Sequence, residues 1–145
     1  MLALYRGDER SAELAARAGR VTPVRLDLGF PPGIRAGCER ILAEHGTPEV
    51  LVNNAGINRD RPFLELTEQD WEQVVATNLS GPFHLSRALA PGTLLGGGGV
   101  IVNVGATTAI RPRKGGANYC ASKAGLLQLR SRARPRPGAR HPRRD

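Results

Sequence analysis

A chain of 145 residues is long enough for one ordinary domain and too short for two comfortable ones. With aromatics at 4%, 18 glycines and 11 prolines, its core has to rest on Leu, Val, Ile and Ala in a turn-rich fold. The formal net charge of +8 points to a polyanion partner only until it is located: residues 130–145, RSRARPRPGARHPRRD, hold seven arginines and one aspartate, leaving fourteen basic and twelve acidic residues in a nearly neutral body.

In chain order, LALY (2–5) predicts a strand, DERSAELAARAG (8–19) a helix closed by Gly19, and VTPVRLDL (21–28) a second strand. PPGIRAGCERILAEHG (31–46) places Ile34, Cys38, Ile41 and Leu42 on one helical face, and EVLVNNAG (49–56) reads as a buried strand running into a turn. A long helix starts at Thr67, which forms a short N-cap box with Asp70, and carries Trp71, Val74, Val75, Leu79, Phe83 and Leu85. VIVNV (100–104) is the fourth strand, and a last helix begins near Asn118. Strands that are apolar on both faces and alternate this strictly with helices predict a parallel sheet covered by helices, the doubly wound α/β class. After Leu129 the alternation of Arg with Pro can neither continue a helix nor build a core, so 1–129 is expected as the domain and 130–145 as a disordered tail.

Several functions are excluded or weakened by the same residues. Cys38 and Cys120 match no metal or redox spacing and are expected as free thiols in a reducing cytosol. His45, His84 and His141 join no cluster of acidic or thiol ligands, so no metal site is expected. The apolar run in MLALYRGDER is too short for a signal peptide core and no window approaches a membrane span, which predicts a soluble cytoplasmic protein. Basic charge without interleaved aromatics gives the tail only salt-sensitive, non-specific attraction to nucleic acid.

The chemistry-bearing stretch is NYCASKAG (118–125). Tyr119 and Lys123 share a helix face because i and i+4 are neighbours there. A free phenol titrates at about 10 and an adjacent ammonium favours its ionised form, so the pair can act as acid and base, although the same spacing also describes an ordinary surface pair. NNAG (53–56) after an apolar strand, NLSGPF (78–83) inside the long helix and YCASKAG after the next strand occur in one order and spacing. Together they resemble the short-chain dehydrogenase/reductase family, and NNAGINRD, TNLSGPF and ANYCASKAG are most similar to its 3-oxoacyl-carrier-protein reductase branch.

That resemblance covers roughly residues 2–129 and implies a partial Rossmann-type sheet, lacking the family's first strand and its last strands. It implies NADP, with NAD the less favoured cofactor, and a small carbonyl or alcohol substrate. It assigns Tyr119 to proton exchange with the substrate oxygen, Lys123 to supporting that tyrosine and binding the nicotinamide ribose, and Asn78 to holding a proton-relay water. It sets Asn53, Ala55 and Gly56 along the cofactor, Asp27 at the adenine amino group, and Arg6 at the 2′-phosphate. A solvated strand-end charge is the other reading of Arg6. A family-type homo-oligomer would use helices 67–90 and 118–129.

Two departures stand out. The family's catalytic serine lies thirteen residues before the tyrosine, and Ala106 of VNVGATTA stands there, with Thr107 and Thr108 next to it. The family's glycine-rich turn between first strand and helix has no counterpart, since GTLLGGG (92–98) precedes a strand and reads as a flexible turn. An inactive fragment of the lineage is therefore the alternative to an NADP-dependent oxidoreductase. Asp60, in NRDR, reads equally as a substrate-cleft residue and as a solvated surface charge.

Overall fold

The computed structural model describes residues 1–17, 19–95 and 99–129. The alternating pattern becomes β1 (Leu2–Tyr5), α1 (Glu9–Arg17), β2 (Thr22–Arg25), α2 (Pro31–His45), β3 (Val50–Asn53), α3 (Glu68–Val75), α4 (Gly81–Leu95), β4 (Val100–Asn103) and α5 (Ala117–Gln128). The strands form two parallel pairs, β1 with β2 and β3 with β4, and no ladder joins β1 to β3. The expected arginine- and proline-rich disordered tail at 130–145, with His141, lies outside the described residues.

Local chemistry sets the boundaries. Gly19 closes α1 at a φ of 76°, with its N–H donating to the Ala16 carbonyl at 3.0 Å, a left-handed cap that glycine adopts without a Cβ penalty. The Thr67 side chain accepts the Asp70 N–H at 3.0 Å, as the N-cap box predicts, and its hydroxyl donates to the Asp70 carboxylate at 2.9 Å. β2 is shorter than the expected 21–28 because Asp27 accepts the Gly29 N–H at 2.8 Å and starts a turn. The first four residues of GTLLGGG are helical and not the expected turn, since α4 continues through Pro91 to Leu95; residues 96–98 fall outside the described ones.

The long helix is interrupted. Ala76–Ser80 form a π turn between α3 and α4, in which the Gly81 N–H reaches back to the Ala76 carbonyl. Such one-turn insertions recur at functional sites, and this one carries Asn78.

The core lies between the sheet pairs and α2 with α4. Leu26, Leu28, Ile34, Cys38, Leu51, Leu85 and Leu89 are buried together, with Leu4 of β1 and Ile101 of β4 packed against them. Of the predicted α2 face, Ile34, Cys38 and Ile41 are buried and Leu42 is half-buried. β3 and β4 differ from expectation, being covered on one face only. Leu51 and Asn53 are buried, whereas Val50, Val52, Val100 and Val102 stand 56%, 52%, 52% and 41% exposed on the alternate face. Trp71 and Phe83 also point outward from the long helix, while Val74 and Leu85 turn in.

Gly81 fixes how closely the start of α4 approaches the loop after β2. A Cβ there would lie 2.6 Å from the Leu28 carbonyl oxygen and 2.8 Å from the Leu28 Cβ. Relieving that clash requires backbone movement, at about 1–3 kcal/mol, which exceeds the roughly 0.5–1 kcal/mol that alanine returns in helix propensity. Gly81→Ala is therefore expected to lower the thermal unfolding midpoint measured by circular dichroism, and an unchanged or raised midpoint would contradict the packing.

Candidate active site

Helix α5 carries Tyr119 and Lys123 one turn apart, and the sequence spacing becomes contact. The Lys123 Nζ lies 5.9 Å from the Tyr119 ring centroid and donates to the Val104 carbonyl, just past β4, at 2.9 Å. Lys123 is only 3% exposed, and burial pushes its ammonium below the ordinary lysine range. Tyr119 is half-buried.

Asn78 joins the cluster from the π turn. Its Oδ1 accepts the Ile57 N–H at 2.8 Å, and its Nδ2 donates to the Ile57 carbonyl at 2.9 Å and to Ser122 Oγ at 3.1 Å. Ser122 in turn donates to the Tyr119 carbonyl at 2.8 Å. The Asn78 amide is thus occupied in clamping the loop after β3 to α5. Gly56 lies in that loop, and a Cβ on it would sit 3.4 Å from Asn78 Oδ1 and 3.5 Å from Lys123 Nζ. Tyr119, Lys123, Asn78 and Gly56 are therefore brought together, with Ala55 exposed next to Gly56.

Asn53 is placed elsewhere. Its Nδ2 donates to Ser86 Oγ at 3.0 Å and to Asn103 Oδ1 at 2.8 Å, which ties the end of β3 to α4 and β4. Its buried Oδ1 has no partner among the described residues.

Arg6 and Asp27 meet at a second location, at the ends of β1 and β2. Together with Arg25, Arg40, Leu26 and Gly37 they line a cavity of about 410 Å³. This volume falls within the range of small-ligand sites, and three guanidiniums, one carboxylate and an apolar wall suit an anionic nucleoside. The chemistry of the residues present is compatible with a nicotinamide dinucleotide: guanidiniums and a carboxylate line the cavity at Arg6 and Asp27, and the Lys123 ammonium lies beside Gly56. No cluster that could hold a metal occurs among the described residues, and Cys38 and Cys120 are free and buried.

Ala106 caps a 3₁₀ turn, Thr107–Ala109, and offers no hydroxyl. Thr107 is exposed, and Thr108 buries its Oγ1 without a partner among the described residues. Neither threonine repeats the geometry of a residue at 106.

Sequence reasoning missed three residues. Asn118, fully buried, donates to the Arg59 carbonyl at 2.9 Å and the Asp70 carbonyl at 3.3 Å, and accepts the Tyr119 N–H at 2.7 Å. It pins the tyrosine helix to the 57–61 loop and α3; its place directly before Tyr119 was the available signal. Ser122 had none beyond its position in NYCASKAG. Arg113 lies 5.8 Å from the Tyr119 ring centroid and pairs with Asp60, which puts Asp60 beside the site.

Comparison with known proteins agrees with this geometry. The sequence model of the short chain dehydrogenase family matches residues 2–136. The chain is 35% identical over 122 residues to the 3-oxoacyl-[acyl-carrier-protein] reductase FabG of Thermotoga maritima, covering 84% of this chain and 50% of that protein. It is 39% identical over 117 residues to a probable oxidoreductase EphD of Mycobacterium bovis, covering 80% of this chain and 20% of that protein. Among solved structures, a gluconate 5-dehydrogenase from Burkholderia cenocepacia in complex with NADP and tartrate superposes with a TM-score of 0.80 at 29% identity, over 88% of this chain and 52% of that one. A metagenomic short-chain oxidoreductase in complex with NADP gives 0.81 at 32% identity, over 88% and 60%. The chain therefore spans half or less of the length of these curated relatives. A matched family model, a shared fold and a tyrosine–lysine pair meeting an asparagine from the preceding helix lead to one assignment: the chain belongs to the short-chain dehydrogenase/reductase family, and its sequence is FabG-like.

Proposed function

We propose that residues 1–129 form the catalytic part of an NADP-dependent oxidoreductase that interconverts a 3-oxoacyl-type ketone and a secondary alcohol. The observation that carries this reading is the buried Lys123 ammonium 5.9 Å from the ring of a half-open tyrosine. Bound NADP supplies or accepts the hydride. Tyr119 delivers a proton to the carbonyl oxygen in reduction and removes it from the alcohol in oxidation. Lys123 holds its ammonium beside the Tyr119 ring and offers its remaining N–H groups to the ribose. Asn78 fixes the loop bearing Gly56 against α5, and so sets the distance between cofactor and tyrosine. Both Nδ2 protons and one of the two Oδ1 lone pairs of Asn78 are engaged, so a relay water at this residue would be held by the remaining lone pair or by backbone groups of the π turn. Arg6 holds the 2′-phosphate and Asp27 the adenine amino group, supported by their common cavity.

The outward Trp71 and Phe83 suit a homo-oligomeric contact through 67–90, with α5 alongside. No helix among the described residues is long and apolar enough to cross a membrane, and a cytoplasmic location belongs to the same proposal. A second reading, an inactive member of the family, rests on Ala106, since losing one donor to a reacting oxygen costs about 10²–10³ in rate.

Three outcomes test these readings. In a chimaera where residues 1–129 replace the matching half of a homologous reductase, Tyr119→Phe is expected to abolish NADPH oxidation with acetoacetyl thioester, and Ala106→Ser to raise it at least about tenfold. Turnover that survives Tyr119→Phe would sink the assignment, and an unchanged rate in Ala106→Ser would mean that another donor already serves. In the same chimaera, calorimetry is expected to show tighter binding of NADPH than NADH, with the preference narrowed by Arg6→Ala; equal affinities in the parent would remove Arg6 from the site. The third outcome concerns stability. The Lys123 pKa is lower folded than unfolded, so the folded state binds fewer protons. Its desolvation cost is fully present below the folded pKa and fades as pH rises toward the unfolded value of about 10.4. Lys123→Met should therefore raise the melting midpoint at neutral pH and flatten its alkaline dependence. A lowered midpoint would show that the bond to Val104 outweighs the burial.

A further inference from the structure

The cavity at Arg6 and Asp27 has a second wall, which the strand ends do not supply. Gly33, Ala36, Gly37 and Arg40 recur at i, i+3, i+4 and i+7, so they share one face of α2, and all four line that cavity. Three of them carry no side chain beyond a Cβ, which keeps the helix wall low, and Arg40 alone brings a long side chain and a charge. The strand side is fixed against this face. The Leu26 N–H donates to the Tyr5 carbonyl at 2.8 Å, and the Leu26 side chain packs on Gly37, where a Cβ would fall 2.5 Å from its Cδ1. Arg6, next after Tyr5, and Arg40, about one turn after Gly37, therefore flank the segment of Leu26 and Asp27 from β1 and from α2.

The charges around this cavity leave two cations over. Of its three guanidiniums, that of Arg25 faces Glu9 at 3.8 Å. No ion pair among the described residues engages Arg6 or Arg40, and Glu44, four residues beyond Arg40, lies against His45 at 3.7 Å. Asp27, the carboxylate of the cavity, turns an oxygen to the Gly29 N–H at 2.8 Å and pairs with neither arginine. A cavity of about 410 Å³ has the volume of a sphere about 9 Å across, a span that two flexible arginine side chains can close on one group.

We infer that Arg40 is a second residue of cofactor specificity: its guanidinium joins that of Arg6 on the 2′-phosphate of NADP, so that the phosphate is held from β1 and from α2 at once. The inference rests on the NADP-dependent reading and adds to it a residue that the family resemblance does not assign. A phosphate monoester carries nearly two negative charges at neutral pH and three terminal oxygens. One guanidinium takes two of those oxygens in a bidentate pair, and the remaining oxygen and charge are met by a donor from another direction. A ribose 2′-hydroxyl has no charge, so the same two cations give it no comparable advantage. Arg40 thereby separates the phosphorylated from the unphosphorylated cofactor without touching the rest of the nucleotide.

The test uses the full chain in about 0.15 M salt, where distant charges are screened. Calorimetry compares adenosine 2′,5′-bisphosphate with adenosine 5′-monophosphate, which differ only in the 2′-phosphate. The bisphosphate is expected to bind about tenfold more tightly. Arg40→Gln should weaken it about three- to tenfold, as for a charge-assisted contact in an open cavity, and leave the monophosphate within about twofold. Arg40→Lys should recover part of the loss. Arg35→Gln removes the same charge from an exposed place on α2 outside this cavity and should leave both affinities unchanged. A preference that survives Arg40→Gln, equal losses for the two ligands in both Arg40 variants, or the same loss in Arg35→Gln would each overturn the inference. The NADP reading fails by a different observation. A preference already absent from the parent chain overturns both, whereas one that survives Arg40→Gln and is lost in Arg6→Ala removes Arg40 alone and leaves that reading standing.

Discussion

The half of the molecule that carries the candidate site depends on one buried amide. Asn78 has no exposed surface, and its three strong hydrogen bonds go to both sides of the Ile57 peptide and to Ser122. Three segments distant in sequence, the loop after β3, the π turn and α5, are thereby held at one point. A buried amide left with unpaired donors and acceptors costs on the order of 1–3 kcal/mol per group, so this arrangement is strongly preferred over any in which the loop slips. Apolar packing alone tolerates small shifts; a fully satisfied amide does not. The π turn follows from the same constraint, since the extra residue in the helix sets the orientation at which Asn78 meets Ile57 and Ser122 together.

How legible this was depends on the kind of signal. Tyr119 and Lys123 were readable because one-turn spacing on a helix requires proximity, and Thr67 because its cap chemistry is local. The sheet class followed from alternating segments, and the two parallel pairs agree with it. The burial of β3 and β4 was misread, because Val50, Val52, Val100 and Val102 look like core residues in any sequence window, and whether a helix covers their face is settled by distant elements. The interruption at Ala76–Ser80 was also invisible: helical periodicity survives a single inserted residue, and only the partners of Asn78 account for it. Asn53 shows the converse limit. Adjacent asparagines at a strand end look like one polar unit, yet strand alternation turns Asn53 inward to Ser86 and Asn103 and leaves Asn54 exposed.

Lys123 shows stability and chemistry pulling in opposite directions. An ammonium 3% exposed with the Val104 carbonyl as its acceptor among the described residues is a poor way to fill space, and the same burial lowers its pKa. In the proposed reading that charge serves at close range, beside the tyrosine that exchanges the proton. Ala106 runs the other way. Its position carries no polar group, while the nearby Thr108 hydroxyl is buried without a partner among the described residues and Thr107 is exposed.

The two ends of the proposed cofactor site stand on different sheet pairs, Arg6 and Asp27 with β1 and β2, Gly56 and Lys123 with β3 and β4. Since no hydrogen-bond ladder joins β1 to β3, the distance between those ends is set by the helix layer. The helix contact is apolar and specific: Ile34 and Cys38 of α2 pack with Leu85 and Leu89 of α4, and Leu26, Leu28 and Leu51 close the cluster from the sheet side. Gly37 tightens it, because a Cβ there would fall 2.5 Å from Leu26 Cδ1. A substitution that loosens the α2 to α4 contact would therefore change the span between Arg6 and Lys123 while leaving each subsite intact. Its signature is weakened binding of a whole dinucleotide with unchanged binding of an adenosine phosphate, and that separates a fault in the frame from a fault in either site.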